Sequence, residues 1–500
     1  MTPIRSELHG RTRAATECPT EESASRARFP GLLMRLAAGL LGACCAVAAV
    51  AQTPSGPATP SDSLTWNGVT LYGIVDVGLQ YQTHGVPVSD YFPAGTEAIV
   101  QKNSNSSVTG VTPSNLSQSR IGLSGNEPLV GDWAGVFRVE TFFNPQSGDI
   151  SDALKSLTLN NGRAASVQTT NVDSSVAGQL FAGAAYAGFS SPTVGTFTFG
   201  RHVTPLADGV SKYDPLSASN AFSLIGFSGT TAGGGDTEDR RLDQSVKYTG
   251  KYGPLHLGAL YQFSGSSGST NTAFQATIGG DFAGGSVDAY YAKKYDAVAA
   301  APLAQADINK LNAACAGVSM VVPAPAVTPC FSLSNSVKAT ISDNTTYGVM
   351  GLYNLGTVKL SAGYEHIQFT DPSNPLEAGS LTIGGYVLAV TSNTAFAFND
   401  KTLQVFWAGF KWSLTPNFDL LAAYYGYKQN SYGKKSCSNT SAGTCSGTEN
   451  SFSVVGDYRL SKRFDMYLGT FYTGVQDGLA NGFDFNTSTV TTTAGIRFKF

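Results

Sequence analysis

The sequence predicts an all-β fold, a transmembrane antiparallel β-barrel of about 16 strands with short periplasmic turns and long extracellular loops. From residue 69 onward, segments of about ten residues alternate apolar and polar side chains between Gly-, Ser- and Asn-rich breaks, as barrel strands do. Charged residues make up only 13% of the chain, far below the share usual in soluble domains. One such segment alone would equally fit a soluble β-sandwich. The repetition of the pattern favours the barrel.

The N-terminal part of the chain has the features of a secretory leader. Residues 36–51 form an apolar run that follows a basic stretch ending at Arg35 and closes on small residues, which is typical of a signal peptide. We therefore expect residues 1–51 to be an N-terminal extension and signal peptide, with Met34 as an alternative start. Cys44 would permit a lipoprotein interpretation, but the apolar run continues for several residues beyond it.

The charge balance and hydropathy of the chain restrict its class. The 32 Lys and Arg residues nearly balance the 35 Asp and Glu residues, which argues against a nucleic-acid partner, since that would require a strongly basic face. Beyond the leader, no apolar run approaches the roughly eighteen residues of a membrane helix. We expect residues 52–66, rich in Pro, Ser and Thr, to be a flexible lead-in, and residues 67–500 to form the barrel as a single domain.

The cysteines that follow the leader occur as two local pairs, Cys315 with Cys330 and Cys437 with Cys445. A secreted chain enters an oxidising compartment, where disulfides are the natural state of such pairs. The CxxC spacing of a four-cysteine metal site is absent. We therefore predict the disulfides Cys315–Cys330 and Cys437–Cys445.

In the first predicted strands, apolar and polar side chains separate onto opposite faces. In the first one, Val69, Leu71, Val75, Val77, Leu79 and Tyr81 share one face, whereas Tyr72, Asp76 and Gln80 share the other. A long polar segment then extends to about residue 115. In the next pair, at 119–125 and 133–142, the apolar face carries Ile121 and Phe137, and the opposite face carries Arg120, Arg138 and Glu140. Charges isolated within apolar strands require a wet interior.

Six further pairs follow with the same alternation of a short turn and a long loop. They lie at 179–189 with 196–202, 240–250 with 254–263, 273–282 with 286–295, 345–355 with 357–369, 401–414 with 418–429, and 451–460 with 464–475. The closing strand at 488–500 places Ile496 and Phe498 on one face and Arg497 and Lys499 on the other. It must pair with the first strand, because an open edge cannot persist in a bilayer.

Four features of the sequence are similar to the Gram-negative outer-membrane porins, the trimeric sixteen-stranded general-diffusion channels. They are residues 69–79, the SRIGLSG segment at 119–125, the YRLSKRFDMYLG run at 458–469 and the terminal Phe500. The resemblance covers residues 69–500. It implies a homotrimer in the outer membrane of a Gram-negative bacterium, surrounded by membrane lipids and inserted by the barrel-assembly machinery, for which Phe500 would be the assembly signal.

The chain departs from the porin pattern at three places. Ser124 stands where the family often carries a second basic residue, residues 296–344 are long for a loop, and residues 213–235 are unusually rich in Gly and Ser. The first and third departures bear on ion preference, and none of them affects the predicted fold.

The resemblance further implies a constriction loop after the fifth strand, at about residues 204–239. Its charged residues are Asp208, Lys212, Asp214, Asp236, Glu238 and Asp239, and the wall residues that would oppose them are Arg120, Arg138, Arg201, Lys247, Arg497 and Lys499, with Glu140 on the same wall. Opposed rows of unlike charge select among permeating ions by Coulomb attraction. An alternative interpretation is that the acidic residues of the loop are ordinary solvated charges. For the strand arginines the lumen is favoured, since a lipid-facing Arg costs about 2 to 4 kcal/mol at the midplane.

Aromatic residues near strand ends permit two interpretations, a soluble core or the interfacial girdles of a barrel. They include Trp412, Tyr424, Tyr458, Tyr472 and Phe500. The barrel favours girdles, in which amphipathic rings lie at the level of the lipid headgroups.

Signals for enzymatic or metal chemistry are weak. After the leader the histidines are His84, His202, His256 and His366, and no GxSxG, HExxH or GxxxxGK[ST] motif occurs. We expect His202, beside Arg201, to line the pore. Residues 236–239 lack the ligand spacing of a dedicated Ca²⁺ site. The sequence therefore predicts no enzyme, no cofactor and no metal.

The leading functional hypothesis is a passive, water-filled channel for ions and small hydrophilic solutes. A second hypothesis is a substrate-specific channel or a surface receptor that uses the long loops. A third, a barrel lipase, lacks its catalytic residues. The sequence leaves open the preferred solute and the sign of the ion selectivity.

Overall fold

Antiparallel β-strands dominate the structure, a computed structural model that describes residues 64–84, 107–148, 150, 180–225, 240–263, 272–302, 337–373, 381–383, 386–388, 390–392, 399–433, 436–439, 444–480 and 486–500. These residues belong to one unit, Ser63–Phe500. No helix within these ranges is both long enough and apolar enough to cross a membrane.

The elements have the following bounds. The strands are β1 (Leu64–Trp66), β2 (Val69–Gln82), β3 (Val108–Pro113), β4 (Arg120–Pro128), β5 (Ala134–Phe142), β6 (Ala184–Ser191), β7 (Gly195–Val203), β8 (Arg241–Tyr252), β9 (Leu255–Gln262), β10 (Ala273–Phe282), β11 (Gly285–Pro302), β12 (Val337–Leu355), β13 (Val358–Thr370), β14 (Leu381–Ile383), β15 (Tyr386–Leu388), β16 (Val390–Ser392), β17 (Lys401–Thr415), β18 (Phe418–Gln429), β19 (Gly447–Arg459), β20 (Phe464–Asp477) and β21 (Ser488–Lys499). Helix α1 spans Pro205–Tyr213, and a 3-10 helix spans Gly478–Ala480.

Sixteen strands close into the barrel. β3 and β4 together act as one barrel strand, because β3 pairs with residues 77–82 of β2 and β4 pairs with residues 69–74. With β2, β5 to β13 and β17 to β21, they form a closed antiparallel barrel of 16 strands. β14 and β15 form a separate hairpin, and β16 runs parallel to the start of β12. The fold predicted from the sequence is confirmed.

The barrel closes between its first and last strands, as the sequence requires. β21 pairs with β2 from Ile74↔Lys499 to Gln82↔Thr491. Phe500 continues the ladder by exchanging two backbone hydrogen bonds with Gly73, of 2.9 and 3.1 Å. β1 pairs with residues 69–71 of β2. It therefore covers the part of the β2 edge that β21 leaves unpaired. The last three residues of the predicted lead-in at 52–66 therefore form a strand.

The two faces of the sheet differ in polarity, as the alternation predicts. Large apolar side chains on the outer face remain exposed, among them Leu79 at 61% and Phe199 at 57%. On the inner face, the exposed fraction of the side chain is 2% or less for Asp76, Gln80 and Thr491. An exposed apolar exterior around a polar interior is the arrangement of a barrel in lipid.

Aromatic rings lie side by side on the outer face. Tyr424 contacts Phe452 with ring centroids 4.9 Å apart, and Phe452 lies 6.4 Å from Tyr472. Near the short turns, Trp412 and Tyr458 are 41% and 42% exposed. These positions are those expected for rings at the two membrane interfaces.

The structure differs from the sequence-based expectation at the segment 296–344. β11 and β12 continue to pair from Ala297↔Ser342 to Pro302↔Val337, beyond a bulge that follows Lys294. Both ends of the segment expected to be a loop are therefore strand, because the bulge takes up the register shift and the antiparallel ladder continues beyond it.

The cysteine pairs have different outcomes. Cys437 and Cys445 form the predicted disulfide. Cys315 and Cys330 lie outside the described residues, so their pairing stays a prediction.

Candidate pore constriction

The chain enters the barrel interior directly after β7, the fifth barrel strand. Helix α1 begins there because Thr204 caps it, accepting the backbone N–H of Ala207 at 3.2 Å, and Pro205 occupies the first turn. Asp208 lies in the first turn and Lys212 in the last, so both charges complement the helix dipole. We call residues 204–225, the described part of the segment predicted at 204–239, the constriction loop.

The apolar side of α1 packs on the inner wall formed by β9 to β13. Leu206 and Val210 are fully buried, and the backbone N–H of Leu206 donates to Gln275 Oε1 of β10 at 3.2 Å. The Tyr213 hydroxyl lies 2.7 Å from Ser286 Oγ of β11, and burial raises the pKa of Tyr213. The helix is therefore fixed to the wall by packing and by specific hydrogen bonds.

The chain following α1 is fixed by β17 and β18. Trp407 Nε1 donates to the Tyr213 carbonyl at 3.2 Å. The indole lies over Gly363, where an added Cβ would meet it at 2.1 Å, so this position excludes side chains. The Asp214 carboxylate accepts the Tyr425 hydroxyl at 2.7 Å and the Ala218 N–H at 2.7 Å, and burial raises the pKa of Asp214.

The far part of the constriction loop reaches β20 and then the stretch between β3 and β4. Phe222 packs edge-on against Tyr467 of β20, with ring centroids 6.3 Å apart. The backbone N–H of Ala221 donates to the Asn115 carbonyl at 2.9 Å. The described residues of the loop thus cover the wall from β9 to β20 and leave uncovered most of the inner face of β4 to β8.

The uncovered wall is strongly basic. Its described charged side chains include five arginines, Arg120, Arg138, Arg201, Arg240 and Arg241, and two acids, Glu140 and Asp243. Five guanidinium groups against two carboxylates leave an excess of three positive charges on this part of the wall.

Glu140 organises the arginines of β4 and β5. Arg138 Nη2 lies 2.6 Å from Glu140 Oε2, and Arg120 Nε lies 3.8 Å from the same oxygen. Tyr72 of β2 accepts a hydrogen bond from Arg138 Nε at 2.6 Å and donates to Glu140 at 3.1 Å. Planar guanidinium groups held in this way present their remaining N–H groups in a fixed orientation.

Two more arginines are fixed by backbone carbonyls of the segment before β6. Arg201 Nε donates to the Ala182 carbonyl at 3.0 Å and Arg201 Nη1 pairs with Asp243 at 2.5 Å. Arg241 Nε donates to the Gly183 carbonyl at 2.8 Å, and its guanidinium lies 4.6 Å from the ring centre of Phe142. These contacts orient both guanidinium groups, and Glu140 also interacts electrostatically with Arg241.

The loop and the basic wall meet at one ion pair. Lys247 Nζ of β8 lies 2.5 Å from Asp208 of α1. Two cavities of about 560 and 540 Å³ share these two residues. One is also lined by Lys212, Lys251, His256, Asp281 and Asp288, and the other by Arg138, Tyr186 and His202. Lys212 Nζ lies 2.8 Å from Ser286 Oγ and 3.7 Å from Asp288.

The structure does not bring all the predicted site residues together. On the constriction loop and the wall that faces it lie Arg120, Arg138, Glu140, Arg201, Lys247, Asp208 and Lys212. Asp214 is fully buried, so its carboxylate anchors the loop instead of facing a permeating ion. Asp236, Glu238 and Asp239 lie outside the described residues.

Arg497 and Lys499 face inward, but their ion pairs lie away from the constriction loop. Arg497 lies 2.9 Å from Asp465 and 3.4 Å from Asp457, and Lys499 lies 2.8 Å from Asp465. This cluster is next to the short turn that joins β19 to β20. It is separate from the ion pair between Lys247 and Asp208.

Sequence reasoning missed Arg240, Arg241, Asp243 and Asp76 as residues of the site. Arg241 and Asp243 are spaced evenly from Lys247 on the same strand, so the alternation that indicated Lys247 also indicated them. Arg240 directly precedes the first residue of β8, so strand alternation assigns no face to it.

Comparison with known proteins assigns the family. The profile of the Gram-negative porins matches residues 37–478. The chain belongs to the Gram-negative porins. This porin is 26% identical over 436 residues to an outer membrane porin protein of Bordetella pertussis, covering 86% of this chain and 93% of the other. The family makes it a diffusion channel of the bacterial outer membrane.

Two solved structures share the porin's fold. The anion-selective porin from Comamonas acidovorans has a TM-score of 0.55 and 17% identity, covering 86% of this chain and 99% of that one. The trimer form of OmpT, an outer membrane protein of Vibrio cholerae, has a TM-score of 0.50 and 14% identity, covering 86% and 99%. At these identities the similarity shows the fold.

Proposed function

We propose that this porin is a passive, water-filled channel for ions and small hydrophilic solutes that prefers anions. The observation that carries the proposal is the excess of guanidinium groups on the wall opposite the constriction loop, five against two carboxylates among the described residues. A passing anion is attracted to this wall and a cation is repelled, because charges of one sign lining a narrow pore create a local potential.

The size of the preference follows from Coulomb's law. Three excess charges about 10 Å from an ion in water give about 1 kcal/mol, and screening at about 0.1 M salt lowers this to about 0.5 kcal/mol. That energy favours anions about twofold and disfavours cations by a similar factor, so the expected anion-to-cation permeability ratio is about 2 to 5. The anion selectivity of the Comamonas acidovorans porin agrees in sign.

The assembly is proposed from the fold and from the exposed outer face. We propose a homotrimer embedded in outer-membrane lipids, in line with the trimer form of the Vibrio cholerae protein. The exposed apolar exterior supports lipid contact. Insertion by the barrel-assembly machinery, with Phe500 as the assembly signal, stays a proposal, as do the leader at 1–51 and the continuation of the constriction loop to residue 239.

A channel role is favoured over an enzymatic one. The charged groups that face the lumen pair with each other across the loop and the wall, which suits the selection of solutes in transit. His202 Nδ1 lies 2.8 Å from Ser245 Oγ, but both residues are buried and the other ring nitrogen of His202 has no hydrogen-bond partner among the described residues, so the pair lacks the acid of a lipase triad. We therefore propose no catalytic activity.

The second candidate is a substrate-specific channel. The observation that favours it is the pair of cavities of about 560 and 540 Å³ beside α1, which are large enough for a small solute and carry charges of both signs. A specific channel would bind its solute there and saturate.

Conductance separates the two candidates. In planar bilayers, general diffusion predicts a current that rises linearly with voltage and with salt concentration, with no block by sugars, amino acids or carboxylates. Saturation or block by one solute at millimolar concentration would favour the specific channel. A purified, inserted barrel without conductance would contradict both.

A further inference from the structure

A short stretch between β3 and β4 leaves the sheet and lies inside the lumen. We call residues 114–119 the inner segment. Ser114, Asn115 and Ser119 are fully buried, and Ser114 has a positive φ of 59°. The Ser119 N–H donates to Ser114 Oγ at 2.8 Å. The inner segment is therefore a compact turn, although it contains no helix or strand.

One carboxylate of the barrel wall holds the inner segment. Asp76 Oδ2 accepts the backbone N–H groups of Leu116 at 2.9 Å and Ser117 at 2.8 Å, and Oδ1 accepts that of Asn115 at 3.2 Å. Three successive N–H groups that converge on one anion form a nest. Because Asp76 is fully buried, the carboxylate requires these donors, and the donors require the carboxylate.

The backbone of Asp76 holds the two ends of the inner segment as well. The Ser114 N–H donates to the Asp76 carbonyl at 2.7 Å. Ser119 Oγ donates to the same carbonyl at 3.1 Å and accepts the Asp76 N–H at 3.0 Å. One residue of β2 thus fixes both ends and the centre of the turn.

Residues 219–221 of the constriction loop bind this turn. Ser219 Oγ donates to the Asn115 carbonyl at 2.8 Å, and the Ala221 N–H donates to the same oxygen at 2.9 Å. Asn220 Nδ2 donates to the Ser114 carbonyl at 2.9 Å. Three consecutive loop residues therefore bind two consecutive carbonyls whose orientation Asp76 sets.

A tyrosine links the same carboxylate directly to the loop. The Tyr467 hydroxyl donates to Asp76 Oδ1 at 2.5 Å and accepts Asn115 Nδ2 at 2.9 Å. The ring of Tyr467 packs edge-on against Phe222 of the loop, at 6.3 Å between centroids. Asp76, the inner segment and Phe222 thus form one connected network.

We infer that Asp76 is a positioning residue for permeation, which holds the far end of the constriction loop through the inner segment and so sets the width of the passage along the basic wall. The inference rests on the proposed function, because a residue can set the width of a pore only if the barrel is a channel. Asp76 itself touches no permeating ion. Arg120 directly follows the inner segment in sequence, so release of the loop end changes the space next to the first of the wall arginines.

The test compares four variants with the parent porin. Asp76→Asn keeps the shape of the side chain but replaces one acceptor oxygen by an amino group, so the three backbone N–H groups and Tyr467 cannot all be satisfied. The matched control is Asp419→Asn, another fully buried acid of the barrel wall, which binds Lys411 and Arg459 and not the loop. The third variant, S219A/N220A, removes the loop's side-chain contacts to the inner segment from the other side.

Single-channel conductance and the anion-to-cation permeability ratio are measured in planar bilayers. We expect the conductance of D76N to differ at least twofold from the parent and its permeability ratio to shift, whereas D419N keeps the values of the parent. S219A/N220A should shift both quantities in the same direction as D76N. The fourth variant, D76N/S219A/N220A, should equal D76N alone, since both changes break one connection and their effects are not additive.

Three results would overturn the inference. They are parental values for D76N, equal changes in D76N and D419N, and full additivity in the triple variant. If D76N does not assemble, S219A/N220A decides, because its substitutions lie outside the strands, and parental conductance then refutes the inference. A parent porin that does not conduct contradicts the proposed function, whereas a conducting parent with unchanged variants contradicts the role of Asp76 alone.

Discussion

Removing one hydroxyl from the barrel wall should loosen the constriction loop. Tyr425 of β18 donates to the buried carboxylate of Asp214 at 2.7 Å, and the same carboxylate accepts the Ala218 N–H at 2.7 Å and the Leu216 N–H at 3.3 Å. Tyr425→Phe keeps the ring and removes this donor. The carboxylate then retains the backbone donors but loses a strong side-chain partner in a fully buried site.

The expected loss of loop stability depends on whether the Asp214 carboxyl is charged or neutral. A hydrogen bond contributes about 1.5 to 3 kcal/mol when one partner is charged and about 0.5 to 1.5 kcal/mol when both are neutral. We expect Y425F to destabilise the docked loop by about 1.5 to 2 kcal/mol, which raises the population of the open loop roughly 10- to 30-fold.

Amide hydrogen exchange at Ala218 is the assay. Its N–H is bonded to Asp214 and exchanges when the loop opens, so its protection factor should fall roughly 10- to 30-fold in Y425F. Tyr424→Phe is the matched control, because Tyr424 is adjacent to Tyr425 on the same strand. Its hydroxyl donates to Asn450 on the outer face, at 2.7 Å. Unchanged protection in Y425F, or an equal loss in Y424F, would refute this account of the loop.

The same site predicts a pH dependence. Burial raises the pKa of Asp214, so the protonated carboxyl is favoured in the folded state. Its contribution to loop stability is fully present below the pKa of the unfolded chain and is lost as the pH rises through the raised folded pKa. Protection at Ala218 should therefore decrease with rising pH across this interval, and D214N should abolish that dependence.

Three further predictions concern the disulfide, the C-terminus and the topology. Peptide mapping without reductant should find Cys437 bonded to Cys445, and reduction should leave conductance nearly unchanged; a free thiol at either position would contradict the pairing. Phe500→Ala should slow trimer formation on semi-native gels but give assembled channels of parental conductance, and trimer kinetics equal to the parent would argue against an assembly signal at the C-terminus. Protease added to intact cells should cut within 296–344 or 433–450, whereas cleavage at the turn 461–463 would invert the topology.

The barrel could be predicted from the sequence because its determinants are local. Alternation along each strand fixes which side chains face lipid, as Ile496 and Phe498 do, and which face inward, as Arg497 does. Closure follows from the absence of water in the bilayer, which requires the last strand to pair with the first. The first argument is local, and the second follows from the bilayer alone and requires no knowledge of particular side-chain contacts.

The interior depends on contacts that the alternation does not encode. Asp214 was expected to face the pore, but Tyr425, 211 positions later, buries and binds it. Asp76 was assigned to the correct face, yet its partners lie in a polar segment that shows no strand pattern. Alternation gives the face of a residue and not its depth, so Arg497 and Lys499 were expected opposite the loop, although Asp465 binds both near the turns.

The zero-current potential of the parent porin across a planar bilayer under a salt gradient is the most direct test of the proposed channel. At about 0.1 M salt, the basic wall predicts an anion-to-cation permeability ratio of about 2 to 5, and a ratio closer to 1 in R120Q/R241Q and at high salt. A ratio below 1 in the parent, or an unchanged ratio in the double variant, would contradict the assignment of ion selection to these arginines.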